Sequence, residues 1–461
     1  MATVLGGGLF ACSPGAESVE MDLSLTPSEN ISTVIFAEWT PPEAGVGFVE
    51  FGLDGAFDHA SPSIETDSDL HEATLLGLKA GFTYDFRAVL ETEDGERVES
   101  AIQTLTLDPP PAALERFTIT VPNDDVDGYV LTSLLQPMNS WAVIIDRDGD
   151  YVWFWPAADG LAIINAKPTP DGTSISLNQG DGQQDDDHGG SLTVSLDGES
   201  TMHTRTPMSH HDSVQLPDDK VGFIGLEIRA GSMGPIETDI AGDTIMETPL
   251  GATEDEESTA VFNFFDDYRE PWVYCAHSLI EAYHTGAVDW THANSLMYNE
   301  EENAYYLMSK ILDALWKIDR STGEILWQMG GEYTDFTNTD TDAEAWWSHA
   351  HMSHIWDDGL VLFDNGYHRE DLTSGIAEYA WNEDTKTIER VFEYRDPGNR
   401  FVAMLGDARK LPSGSYLTSW TTWGVLKEIN PQGEITWEAS SGLGQATTRV
   451  RYITNLYDLT Q

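Results

Sequence analysis

The stretches "VIIDRDGDYVW" (143–153), "WKIDRSTGEILW" (316–327) and "KEINPQGEITW" (427–437) follow one design. An apolar run ends in Asp or Asn, a glycine follows three or four residues later, and a tryptophan stands four residues beyond the glycine. This pattern reads as an antiparallel hairpin in which glycine takes a turn backbone that side chains resist. Trp153, Trp327 and Trp437 keep the phase of the repeat and therefore read as packing rather than as a ligand platform.

A second phrase interleaves with the first. "AKPTPDGTSISL", "HHDSVQLPDDKVGFIG", "HANSLMYNEEENAYYLMS", "HMSHIWDDGLVLFDNG" and "GDARKLPSGSYLTSW" begin at residues 166, 210, 292, 351 and 406. Each is a strand, a polar turn and another strand, at roughly the ~40 to 60 residue spacing that a four-stranded propeller blade with its loops requires. With the opening "GYVLTSLLQPMNSWAVIIDRDG" there are six such units. The expectation is an all-β chain with a six-bladed β-propeller over 117–461, closed by "RVRYITNLYDL" against the first blade. The interval 226–290 exceeds a blade connection and reads as an insertion, partly helical from about Pro271 to Tyr283.

Residues 23–107 read as a small β-sandwich. "STVIFAEWTPPE" gives a strand carrying Trp39, "FVEFGLDG" a second, and "HEATLLGLKAGFTYDFRAVLETEDG" a pair turning at Lys79 to Gly81. The last phrase resembles the fibronectin type III pattern, with Tyr84 as its corner tyrosine. Three consecutive prolines in "LDPPPAAL" cannot continue a ladder, which places a linker at 108–116. Residues 1–22 form a leader and linker: "LFAC" resembles the end of a bacterial lipoprotein signal, with Cys12 lipidated and the protein exported to the periplasm or cell surface. Cys275 then has no disulfide partner.

Against 79 Asp and Glu stand 23 Lys and Arg, a formal charge of -56. A body so acidic is not drawn to nucleic acid or anionic lipid, and its spread-out acids read as a solvating surface. An anionic substrate would need a locally positive pocket.

In a propeller, equivalent positions of the blades become neighbours near the axis, and His211, His292 and His351 open the phrase in three of them. Side chains alternate along a strand, so in "SHAHMSHIWDDGLVLFDNG" His349 and His351 share a face and His354 takes the other. That stretch alone does not assemble a three-histidine metal site. In "DWTHANS", His292 and Asn294 share a face, with Asp289 and Trp290 as support. The structural alternative is a set of histidines tying blades together by hydrogen bonds, and His210, His349, His354 and His368 are read as such neighbours.

"DWTHANSLMYNEEENAYYLMSKILDALWKIDRSTGEILWQMGG" followed by "HMSHIWDDGLVLFDNG" resembles the bacterial arylsulfate sulfotransferase family, from about Trp141 to the C-terminus. The resemblance implies a six-bladed propeller behind a β-sandwich. It also implies transfer of a sulfuryl group from an aryl sulfate to a phenolic acceptor through a sulfohistidine, without a nucleotide sulfate donor. The nucleophile would be His351, on the strand leading into "FDNG", with His349 as the same-face alternative. His211, His292 and Asn294 match the supporting groups. Two positions depart from the pattern: Lys310 stands where the family has arginine, keeping the charge without the planar fork, and Gly406 stands where some members have a hydroxyl residue.

These residue types suit the chemistry. Sulfuryl transfer needs an in-line nucleophile, cations or donors for three oxygens, and a proton for the leaving phenolate. A neutral imidazole attacks without prior deprotonation. Lys310, Asn294 and a second histidine would serve the oxygens, and Trp346 and Trp347 would wall a phenol ring. No cofactor is expected. Calcium is a secondary reading at "DRDGD" (146–150) and "DGQQDDDHGG" (181–190), although neither has EF-hand spacing. A further alternative is a surface-anchored binding propeller that keeps the fold without the chemistry.

Overall fold

The computed structural model describes residues 21–123, 127–136, 139–180, 190–233, 236–269, 285–341, 346–356, 358–442 and 444–460. Cys12, Cys275, the expected helix between Pro271 and Tyr283, and the acidic loop 181–189 lie outside the described residues. The described chain is all-β, and its one α-helix is the four-residue Phe264–Asp267. It separates into two compact units. Among the described residues, the first comprises those up to Pro27, Ile35–Leu75 and Phe82–Leu107; the second comprises Ser28–Val34, Leu76–Gly81 and those from Asp108 onward.

The first unit holds two antiparallel sheets. Leu23–Pro27, Ile35–Trp39 and His71–Leu75 make one; Gly45–Leu53 and Thr83–Thr92 pair at the centre of the other. His71–Leu75 and Thr83–Thr92 therefore do not form the hairpin expected from sequence. Residues 76–82 are too long a link for a tight turn, and the chain uses them to cross from one sheet to the other.

The second unit contains six sheets among the described residues. Tyr129–Leu135, Ser140–Ile145 and Tyr151–Pro156 form the first, which the C-terminal strand Ala446–Ile453 joins on Tyr129–Leu135 as expected. Ala162–Pro168 leads the second, Ser209–Leu216 the third, Ala293–Asn299 the fourth, His351–Trp356 the fifth and Asp407–Lys410 the sixth. A closure the sequence did not reveal comes from Thr118–Val121, which pairs with the last strand of the sixth sheet, Ile435–Ser440. The leading strands pack in succession from Ala162–Pro168 round to Asp407–Lys410, which meets Ala446–Ile453, and that strand meets Ala162–Pro168 again.

The three tryptophan hairpins are superposable in register. Trp153 faces Ile144, Trp327 faces Lys317 and Trp437 faces Glu428, each next to a bulge at the following residue. Asp146, Asp319 and Asn430 each accept two backbone N–H groups of their turn through Oδ1, and the turn glycines have φ of 85°, 73° and 81°. Trp153 Nε1 then donates to Leu196 O at 3.1 Å and Trp437 Nε1 to Arg147 O at 3.0 Å, so these two tryptophans tie neighbouring sheets.

Alternation supplies the core. In Ala304–Ser309, Tyr305 and Leu307 pack toward the third sheet with Ile224, Ile245 and Trp316, whereas Tyr306 and Met308 pack toward the fifth with Leu360, Leu362 and Trp327. Both faces of this strand are thus buried. The 226–290 interval is corrected in part. Its first half is an extended hairpin, Lys220–Met233 with Ile236–Pro249, followed by Thr259–Asn263, so it supplies strands of the third sheet rather than interrupting the repeat.

Candidate active site

Bulges at the start of three leading strands turn the histidines together. The ladder is irregular between Ser209 and Ser213, Ala293 and Ser295, and His351 and Ser353. His211, His292, His349 and Met352 have φ of 53°, 48°, 53° and 50°, a left-handed backbone that non-glycine residues adopt at a cost. The bulges also correct the phase expected from sequence. Counted back from the facing serines Ser213, Ser295 and Ser353, His211 and His351 are two residues upstream but His292 is three. Convergence comes from local backbone turns, not strict repeat equivalence.

The His211 ring lies 4.9 Å from His292 and 6.4 Å from His351 between centroids, and one ring nitrogen of each lies within 4.8 Å of those of the other two. Such spacing suits a group held between them, including a metal ion.

Each ring is oriented through Nδ1. Asn365 donates its amide to Val402 O at 2.7 Å and Leu405 O at 3.0 Å, so its Oδ1 accepts the His351 Nδ1–H at 2.7 Å. The network thereby assigns the lone pair of neutral His351 to Nε2. His292 Nδ1 donates to Asp289 Oδ2 at 2.5 Å, the support expected from "DWTHANS". His210 Nε2 lies 2.9 Å from Asp243, and His210 Nδ1 lies 3.0 Å from His211 Nδ1, a contact in which either ring can donate; with His210 as donor, neutral His211 carries its own proton on Nε2. His210 is thus a positioning neighbour.

Burial, then the charges of His292 and His210, holds His211 well below the ordinary histidine range. Burial, then the Lys310 ammonium, does the same for His351. Both imidazoles are therefore neutral at physiological pH. Burial also lowers Lys310, with Asp289 acting in the other direction. The Lys310 ammonium lies 5.7 Å over the Tyr367 ring, and its backbone N–H donates to His292 O at 3.1 Å.

Asn294 lies beside the histidines but is spent on structure: its amide donates to Ala350 O at 2.8 Å, and its Oδ1 is buried without a partner. His349 is not interchangeable with His351. Its left-handed backbone carries it to a different group, where its Nε2 lies 3.2 Å from His368 Nε2, its ring meets Tyr367, and its backbone N–H donates to Asp313. Asp313, His349 and His368 also have metal-ligand spacing.

Trp347 is not a wall of the site: it is 3 % exposed and packs with Tyr379 in the core, with Trp346 at its edge. Tyr367, edge-to-face with Phe401, is the aromatic group next to Lys310. At Gly406 (φ 102°) a Cβ would come 2.2 Å from the Phe363 ring, so a hydroxyl side chain has no room in this backbone. The "DRDGD" carboxylates already have cations: Lys79 Nζ is 2.6 Å from Asp146 and 2.8 Å from Asp148, and Arg116 pairs with Asp150.

Sequence reasoning missed two contributors. Asn365 was visible in "FDNG" but had no assigned role. Arg449, 2 % exposed, donates through Nη2 to His211 O at 3.0 Å and Asn294 O at 2.7 Å, placing a guanidinium behind the histidines. Nothing in its local sequence marks it.

Fold and site together define an all-β protein whose buried histidines, each held by one nitrogen, are gathered where sheets begin. The chain belongs to the arylsulfotransferase (ASST) family, whose model matches residues 121–455. Membership supports arylsulfotransferase-type activity in general, with an aryl sulfate donor and a phenol acceptor. No curated protein matches the chain significantly. Among solved structures, a protein of unknown function from Bacteroides caccae is similar at 15 % identity and TM-score 0.43, covering 71 % of this chain and 100 % of its own. The β-propeller domain of Cps50 (Swd1) from Myceliophteria thermophila is similar at 11 % identity and TM-score 0.40, covering 73 % and 96 %.

Proposed function

We propose that the six sheets are the blades of a six-bladed β-propeller, preceded by a fibronectin type III-like sandwich over 23–107, and that the protein is a histidine-dependent arylsulfate sulfotransferase. The observation that carries the reading is the His211–His292–His351 cluster, with His351 fixed so that Nε2 holds the lone pair.

In the first half-reaction His351 Nε2 attacks sulfur, an N–S bond forms, and the S–O bond to the phenol breaks. The electron pair leaves on the phenolate oxygen, and His292, backed by Asp289, gives it a proton. In the second half-reaction His292 takes the proton of the acceptor phenol as its oxygen attacks sulfur and the N–S bond breaks. Lys310 stabilises charge on the sulfuryl oxygens, and His211 does so through Nε2–H when His210 donates to its Nδ1. Arg449 acts through the His211 and Asn294 carbonyls as a positioning residue. Tyr367 and Phe401 border the aryl ring. The lipid on Cys12 would hold the enzyme at the cell surface or in the periplasm.

The test is intact mass after incubation with p-nitrophenyl sulfate, with nitrophenol release followed in parallel. One added sulfuryl group, absent from His351→Ala and discharged by phenol, supports the mechanism. A folded protein that binds phenols but gains no mass and releases no nitrophenol would instead be a binding propeller.

A further inference from the structure

Next to the histidines, the leading strands bring together more positive than negative charge. Arg449 and Arg451 are two residues apart on Ala446–Ile453 and so share a face. Arg449 Nη1 pairs with Asp212 Oδ2 at 2.5 Å, and Lys167 Nζ pairs with Asp212 Oδ1 at 2.5 Å. Arg451 Nη1 pairs with Asp407 Oδ2 at 3.1 Å, and Arg409 Nε with Asp407 Oδ1 at 3.3 Å. Four basic groups thus face two carboxylates, an excess of positive charge. His354, pushed down to about 3 by burial and then by Arg409 and Arg451, adds none at neutral pH.

The setting is nearly dry. No side chain of the six is more than 19 % exposed. The carboxylates also serve other donors: Asp212 accepts from Asn165 Nδ2 and Leu296 N, and Asp407 accepts from Val450 N through Oδ2. Among the described residues, Nε of Arg449 is buried without a hydrogen-bond partner, and Arg409 and Arg451 bond to protein oxygens through Nε and Nη1 respectively. Crowding shows in the titration: burial, then Arg409, pulls Arg451 down to about 9, and burial, against the pull of Asp212, brings Lys167 to about 7. Unbalanced buried charge of one sign is costly, and a dianion held among these basic groups removes the cost.

We propose that Arg409, Arg449, Arg451 and Lys167 form a binding site for a small tetrahedral oxyanion of the sulfate class, distinct from the histidine pocket. Two guanidinium forks present planar donors to pairs of oxygens, and the dianion cancels the surplus. The site does not use His351 and stands whether or not a sulfohistidine forms.

The test is isothermal titration of inorganic sulfate into the full chain at constant ionic strength. Wild type should bind one sulfate saturably, with phosphate competing and chloride much weaker. Arg451→Gln and Arg409→Gln should each weaken binding at least tenfold, whereas His351→Ala should bind as wild type does. Among the described residues, the Arg409 side chain pairs with Asp407 alone, so Arg409→Lys supplies a folded variant that keeps charge, loses the fork and binds several-fold more weakly. Absence of saturable binding to wild type, or undiminished binding in the folded arginine variants, would overturn the proposal. So would loss of binding in His351→Ala, which would assign sulfate to the histidine pocket.

Discussion

Replacing Asn365 by leucine separates the orientation of His351 from its presence. Asn365 is fully buried and makes three hydrogen bonds: it accepts from His351 Nδ1 and donates to Val402 O and Leu405 O. Leucine has similar bulk but fills none of these roles. Each buried group left unpaired costs about 1–3 kcal/mol, and partial relaxation brings the expected loss of stability to about 3–6 kcal/mol. The kinetic effect is separate. Without an acceptor for Nδ1–H, the tautomer with its lone pair on Nε2 loses its advantage, worth about 1.5–3 kcal/mol, or a roughly 10- to 150-fold slower sulfuryl uptake. Quenched-flow mass spectrometry with p-nitrophenyl sulfate measures that step, and urea unfolding measures stability on the same sample. Asn365→Asp keeps an acceptor and adds charge, so it should restore most of the rate and move the acid limb of activity to higher pH. A folded Asn365→Leu protein that takes up the sulfuryl group at the wild-type rate would refute the assigned role of this hydrogen bond.

Lys310→Met should lower turnover about 100-fold while leaving the unfolding midpoint nearly unchanged, because it removes a buried cation that faces developing charge; steady-state kinetics with nitrophenol release checks this. Stability should fall as pH drops below about 6.5, because buried His354, His211 and His351 stay neutral when folded but protonate once unfolded. His354 alone, at about 3, contributes a loss of about 2–3 kcal/mol by pH 4.5, readable from urea midpoints across pH. Gly406→Ser should destabilise by about 3 kcal/mol or more through its left-handed backbone and the Phe363 contact, seen as a lowered thermal midpoint. Trp327→Ala should cost about 3–5 kcal/mol in urea unfolding, since its ring fills the core between two sheets.

The hairpins were legible because their signal is local: an Asx turn, a glycine and a tryptophan within a dozen residues determine the register. The meeting of His211, His292 and His351 was legible through the repeat, and Asp289 through its neighbour. Three other features were not. His349 has the same parity as His351, and its own left-handed backbone just before the strand sends it to Asp313 and His368. Trp347 looks free in sequence because it falls outside the repeat, yet it fills core beside Tyr379. Arg449 reaches the histidines through carbonyls 155 and 238 residues away, a relation no local pattern encodes.

The location of the site follows from what a bulge does to a ladder. A regular antiparallel pair consumes every backbone group and alternates its side chains, so it offers no way to turn three rings from three sheets toward one point. At Ser209–Ser213, Ala293–Ser295 and His351–Ser353 the pairing is interrupted, and left-handed residues turn the chain. The freed groups are not left empty: Ala293 N–H goes to Asp243, His211 O and Asn294 O go to Arg449, and Ala350 O goes to Asn294. Buried Asp243, Asn294, Asn365 and Arg449 therefore replace the ladder where it breaks. Their cost in desolvation is tolerated because the strands beyond Ser213, Ser295 and Ser353 return at once to regular pairing.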